Sequence, residues 1–177
     1  MNQISKMVLL TATFCTLAIA MGTLINSPVS AAAVALPFHG VIHGNAHPFP
    51  INQCTLGNHE TGSGRALHLG VITWSSDEVV QFLSCSPPSP PGPAIAVSGK
   101  FTIVAANGDE IHGEYQTTGT FDPINGVSPR GGYTISSGTG RFTNVTGSGV
   151  IAANGAAAPP FEFVGSLDGT INYGGGE

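Results

Sequence analysis

The chain has 177 residues, only 8% of them charged, with five basic against ten acidic side chains and a net charge of −5 with histidines neutral. That balance repels phosphate backbones and supplies no basic stripe, so nucleic acid is not an expected partner. The 25 glycines and the scarcity of Lys and Glu leave nothing to build the wet face of long helices, and an all-β fold is expected.

Residues 1–33 read as a secretory signal peptide. Lys6 precedes an apolar run from Met7 to Ile25, and the small residues of "SPVSAAAVA" offer cleavage after Ala31 or Ala33. The alternative is an uncleaved N-terminal span, since the run approaches the roughly 20 residues that cross a bilayer; only in that case is a membrane a partner. The expected location is secreted or periplasmic. Residues 34–177 then make a single domain with one modest core, carrying four basic and ten acidic residues, a net charge of −6.

The remaining cysteines, Cys54 and Cys85, are even in number in an exported chain and are expected to form a disulfide. Metal ligation is the competing use, but no C-x-x-C and no flanking ligand set accompanies them.

The first strand is "LPFHGVIHG" (36–44), with Phe38, Gly40 and Ile42 alternating against His39, Val41 and His43. "RALHLGVITW" (65–74) reads as one strand with Leu67, Leu69 and Val71 on one face and Ala66, His68, Ile72 and Trp74 on the other. After Asp77 and Glu78, "VVQFL" continues toward Cys85. The five prolines of "SPPSPPGPA" (86–94) then impose an extended, polyproline-like connector.

Residues 96–121 form the clearest hairpin, turning at Asn107-Gly108. A two-residue primed turn there sets Val104 against Ile111 and Ile103 against His112. The tetrapeptide "AANG" at 105–108 recurs at 152–155, which hints at two similar hairpins without establishing a duplication. About eight strands separated by turns every 8–12 residues predict a sandwich or a closed barrel.

The glycine-rich "SGTGRFTNVTGSGV" (137–150) is not a phosphate loop. Thr143 stands where a dinucleotide fingerprint needs its third glycine, no helix pattern follows, and no Gly-Lys-Ser/Thr is present. It reads as a strand from Tyr133 to Ser136, a sharp turn with Phe142 pointing inward, and a further strand from Val145.

On those residues, "YTISSGTGRFTNVTGSG" (133–149) resembles the strand–GTG–Phe–turn–Gly stretch of the allene oxide cyclase and dirigent superfamily. It departs from that pattern at Ser136-Ser137 and at Asn144-Val145-Thr146. The resemblance implies an eight-stranded antiparallel closed β-barrel with a narrow apolar interior, and it implies a homotrimer, the common state in that superfamily. No position matches the catalytic or ligand-contacting residues of either enzyme branch.

Candidate chemistry is sparse. His39, His43, His47, His59 and His68 fall in the first half of the mature chain, but His39 and His43 are about 13 Å apart along a straight strand at about 3.3 Å per residue, too far for one ion. Only a fold at Gly44-Asn45 or cross-strand meeting with His68 or Glu60 would gather ligands, so no metal and no cofactor are expected. Asp109 and Glu110 belong at a solvated hairpin tip. Glu162, between Phe161 and Phe163, and Arg141 are the candidates for a polar, ligand-binding feature at a pocket; if the two rings face the core, Glu162 faces water instead. No G-x-S-x-G occurs.

Three functions are compatible with these residues. The first, and the expected one, is a non-enzymatic binder of a small apolar molecule in the barrel. The others are an isomerase or cyclase of the allene oxide cyclase type, and a structural surface protein with a solid barrel. A cavity separates the third from the first two, and convergent polar groups inside it bear on the second.

Overall fold

The computed structural model describes residues 34–85 and 92–174. The expected signal peptide (1–33) and residues 86–91 of the proline connector lie outside them.

The described chain is all-β. Its strands are β1 (Ala35–Asn52), β2 (Thr55–Ala66), β3 (Gly70–Phe82), β4 (Ala94–Ala105), β5 (Glu110–Asp122), β6 (Gly126–Val127), β7 (Arg130–Gly138), β8 (Thr146–Gly155) and β9 (Glu162–Asn172). Eight of them close an antiparallel barrel: each of β1 to β4 pairs with the next, β5 pairs with β7, β7 with β8, β8 with β9, and β9 returns to β1. The ninth, the two-residue β6, bridges the ends of β5 and β8 at one rim. Among the described residues, closure leaves no unpaired barrel edge.

Alternation puts Phe38 and Ile42 of β1 in the core and His39 and His43 outside, as the sequence predicts. The strand runs well past Gly44. Pairing with β9 stops at Asn45. On that side the Ala46 amide donates to the Phe161 carbonyl, and Pro48 and Pro50 share its orientation. Their missing N–H groups therefore face a side with no ladder to complete.

Residues 65–74 are not one strand. Ala66 ends β2, Gly70 begins β3, and Leu67-His68-Leu69 forms the tip of a hairpin, with His68 at φ +69° and the Leu69 amide donating to the Ala66 carbonyl. The apolar run concealed the turn: Leu69 is buried in the barrel end while Leu67 and Val71 are exposed.

The β4–β5 hairpin also differs from expectation. Its loop has three residues, Ala106 to Gly108. The Ala105 amide bonds the Asp109 carbonyl, and only Gly108 takes positive φ, at +88°. This is the turn-plus-bulge solution rather than a primed turn. Ile103 consequently pairs with Ile111, and both are fully buried, while Val104 pairs with Glu110. The two "AANG" tetrapeptides are not equivalent, because 105–108 makes this turn and 152–155 lies in β8.

The 137–150 stretch follows its reading. β7 gives way to a 3-10 turn at Gly140–Phe142, Phe142 and Val145 are buried, and β8 follows. Asp109 is not merely a solvated tip residue. Its carboxylate accepts from the Arg141 amide and lies 3.6 Å from the Arg141 guanidinium, tying the β4–β5 hairpin to the 3-10 turn. Phe142 thereby seals one end of the barrel.

Candidate functional site

The inward side chains of β3, taken from the sealed end, are Ile72, Trp74, Ser76, Glu78, Val80 and Phe82. The polar pair thus falls halfway up an otherwise apolar row. Below it, Trp74 stacks on Phe101 at a centroid distance of 5.0 Å, and Tyr133 meets Phe101 edge-on at 6.3 Å. This aromatic layer is a floor. Above it the lumen opens into a cavity of about 370 Å3 walled by Val80, Phe82, Ile95, Val97, Ile151 and Phe163 and reaching the rim. The rim carries exposed Phe49, Ile51, Leu83 and Ile124.

Cross-strand register builds the polar cluster on the cavity floor. Asn58 pairs with Glu78 and Glu60 with Ser76 across β2 and β3, while Gly99 of β4 pairs with Tyr115 of β5. Asn58 Nδ2 donates to Glu78 Oε1 at 2.7 Å, and the Tyr115 hydroxyl donates to Glu78 Oε2 at 2.5 Å. Ser76 Oγ donates to Glu60 Oε2 at 3.0 Å. The Trp74 indole N–H is near Glu60 without closing a hydrogen bond. Gly99 is required by close approach: a Cβ there would lie 2.7 Å from the Tyr115 hydroxyl oxygen and 2.9 Å from Glu78 Cβ.

Burial in this setting penalises charge. Desolvation, with the neighbouring Glu78 carboxylate adding to it, raises the Glu60 carboxyl to about 7, against the hydrogen bond from Ser76. Desolvation also pushes Glu78 up, while its bonds from Tyr115 and Asn58 pull the other way. Burial and the two carboxylates push the Tyr115 phenol far up, so it is a fixed donor. Near neutral pH the two glutamates carry less than two full negative charges.

Neither Arg141 nor Glu162 lines this cavity. Arg141 is exposed at the sealed end, beside Asp109 and with its Cζ 4.6 Å from the Phe142 ring centroid. Phe161 and Phe163 both line the cavity, Phe163 from a buried position, and Glu162 between them faces water. The histidines stand outside the lumen: His39 Nδ1 is 2.5 Å from Asp168, and His59 Nδ1 is 2.8 Å from Asp77. Among the described residues, no three His, Cys, Asp or Glu side chains converge in a metal-binding group.

Sequence reasoning missed the Glu60–Glu78 pair as an interior feature. Period-two alternation carried a signal, since Glu78 shares a face with Trp74 and Val80, and Glu60 with Asn58 and Ala66.

Cys54 and Cys85 form a disulfide, with Cα atoms 5.5 Å apart, that joins the β1–β2 turn to the end of β3 beside the cavity mouth. Such a bond fits an oxidising compartment outside the cytoplasm. No described helix is long and apolar enough to cross a membrane. Comparison with protein-family models gives no match, and comparison with curated proteins gives none either.

Proposed function

We propose that the protein is an exported, non-enzymatic carrier that holds a small apolar molecule in the open half of its barrel. The observation that carries this reading is the cavity of about 370 Å3 above a packed aromatic floor, within the size range of small-molecule sites. A solidly packed structural barrel would have filled that space. The disulfide supports secretion or residence in a periplasm over a reducing compartment. Membership of the allene oxide cyclase and dirigent superfamily is part of the proposal, supported by the eight-stranded antiparallel closure and by the strand–turn–strand at 133–149.

The test is native mass spectrometry of protein recovered from its own culture medium, alongside a Val97→Trp variant that fills the cavity. Retained small-molecule mass in the native protein, lost in the folded variant, is the expected result. Equal retention by both places the ligand elsewhere and overturns the reading.

A second reading draws on the paired carboxyls. A carboxyl raised to about 7 beside a second one that burial also raises is an arrangement that general acid–base chemistry uses, and an isomerase or cyclase of an apolar substrate would employ it. Recovery of the captured compound chemically unchanged after prolonged incubation favours the carrier; conversion to an isomer favours the enzyme.

A further inference from the structure

The cavity floor has an uneven inventory of hydrogen-bonding groups. Three side chains donate to the two glutamates, while the Trp74 indole N–H and the Tyr133 hydroxyl beneath them have no partner. Asn58 donates to Glu78, Tyr115 donates to Glu78, and Ser76 donates to Glu60. Acceptors are open as well. Asn58 is 7% exposed and its Oδ1 has no partner, and Thr117, 6% exposed on the same cavity wall, has an unpartnered Oγ1. An unpaired buried acceptor is costly and calls for a donor.

Charge is one-sided. Among the described residues, no Lys, Arg or His lines the cavity. Among the described residues, the titratable groups lining the cavity are Glu60 and Glu78, from β2 and β3, and Tyr115 from β5, with Tyr133 of β7 in the floor beneath them; the lining side chains from β1, β4, β8 and β9 do not titrate. Two carboxyls in a low-dielectric lumen without a counter-charge favour a cation over a neutral or anionic occupant.

We propose that the molecule held in the lumen is an amphiphilic amine, with its ammonium group seated between Glu60 and Glu78 and its hydrocarbon part against Val80, Val97, Ile151 and Phe163. An ammonium brings several N–H donors and no acceptor, which complements the two carboxyls and the open Asn58 Oδ1. This assignment rests on the reading of the lumen as a binding cavity. Seating the cation ionises both carboxyls, so binding releases a proton near neutral pH. By linkage, affinity rises with pH through the range in which Glu60 titrates, by up to about tenfold per pH unit while one proton must leave.

Isothermal titration calorimetry on the whole protein with n-octylammonium, 1-octanol and octanoate tests this at pH 5.5 and 8, with two pH 7 buffers of different ionisation enthalpy to count protons. At pH 8 the ammonium should bind at least tenfold more tightly than the alcohol, octanoate should bind most weakly, and ammonium binding should release a proton at pH 7. In Glu60→Gln and Glu78→Gln the ratio of ammonium to alcohol affinity should fall toward one. If the alcohol or octanoate binds as well as the ammonium at pH 8, the amine assignment is wrong and the carrier reading stands. If the ammonium binds equally at both pH values with no proton released, the cation does not sit on the pair, and the assignment again fails. If none of the three binds, both readings fall.

Discussion

At Glu60 the position of one carboxyl sets a pH dependence for the whole fold. Its ordinary value of 4.5 applies to the unfolded chain, whereas burial and the neighbouring Glu78 raise it to about 7 in the folded protein. Between those values the folded state holds more protons than the unfolded one, so stability falls as pH rises from 4.5 to 7, and the loss is complete above 7. Glu78 is displaced in the same direction and adds to the trend. Replacing Glu60 with Gln keeps an acceptor for Ser76 and removes the buried charge. Urea unfolding should show that variant more stable than the native protein at pH 8 by roughly 1–3 kcal/mol, and close to it at pH 4.5. A variant weaker at both pH values would mean that the carboxylate stabilises the fold.

The elements divide into those legible from composition and spacing and those fixed by pairing alone. Phe38, Gly40 and Ile42 announced β1 because a half-buried strand repeats every two residues. The 137–150 turn was readable because Phe142 and Val145 are the bulky apolar residues between glycines. Residues 65–74 misled for the opposite reason. Leu67, His68 and Leu69 carry no Pro or Asn-Gly marker, and the one glycine, Gly70 at φ +76°, sits inside an apolar run that reads as strand, so the turn that sets the β2–β3 register was passed over. Without that register nothing placed Glu60 opposite Ser76 or Asn58 beside Glu78, and the site was lost with the turn. The β4–β5 hairpin was found but slipped by one residue, because Asn107-Gly108 serves two loop lengths. The sealed end offers an element-level prediction. Phe142 packs near Tyr173, at a centroid distance of 5.8 Å, and closes that opening. Phe142→Ala should cost about 3–5 kcal/mol in chemical denaturation. Gly140 cannot be replaced lightly beside it: at φ +54° a Cβ would run into the Asp109 carboxylate. A Phe142→Ala loss below about 1 kcal/mol would show that the plug is dispensable.

For the molecule as a whole, hydrogen-bonded closure and a single crosslink share the task of holding shape. The disulfide spans 31 positions and encloses the β2–β3 hairpin that carries both floor glutamates. On chain-entropy grounds the Cys54→Ser, Cys85→Ser double variant should be less stable by roughly 3–4 kcal/mol. Because neither Cys54 nor Cys85 takes part in a strand pairing of the barrel, its far-ultraviolet circular dichroism at 25 °C should match that of the native protein. A collapsed spectrum would mean that the barrel forms only under covalent restraint. One further consequence comes from where the strands begin and end. Ala35 and Asn172 face each other across β1 and β9 at the plugged base, on the opposite side from the entrance. A tag or fluorophore fused to either end of the barrel would attach beneath it. Molecules tethered that way to a sensor chip would all present their openings to the flowing solution.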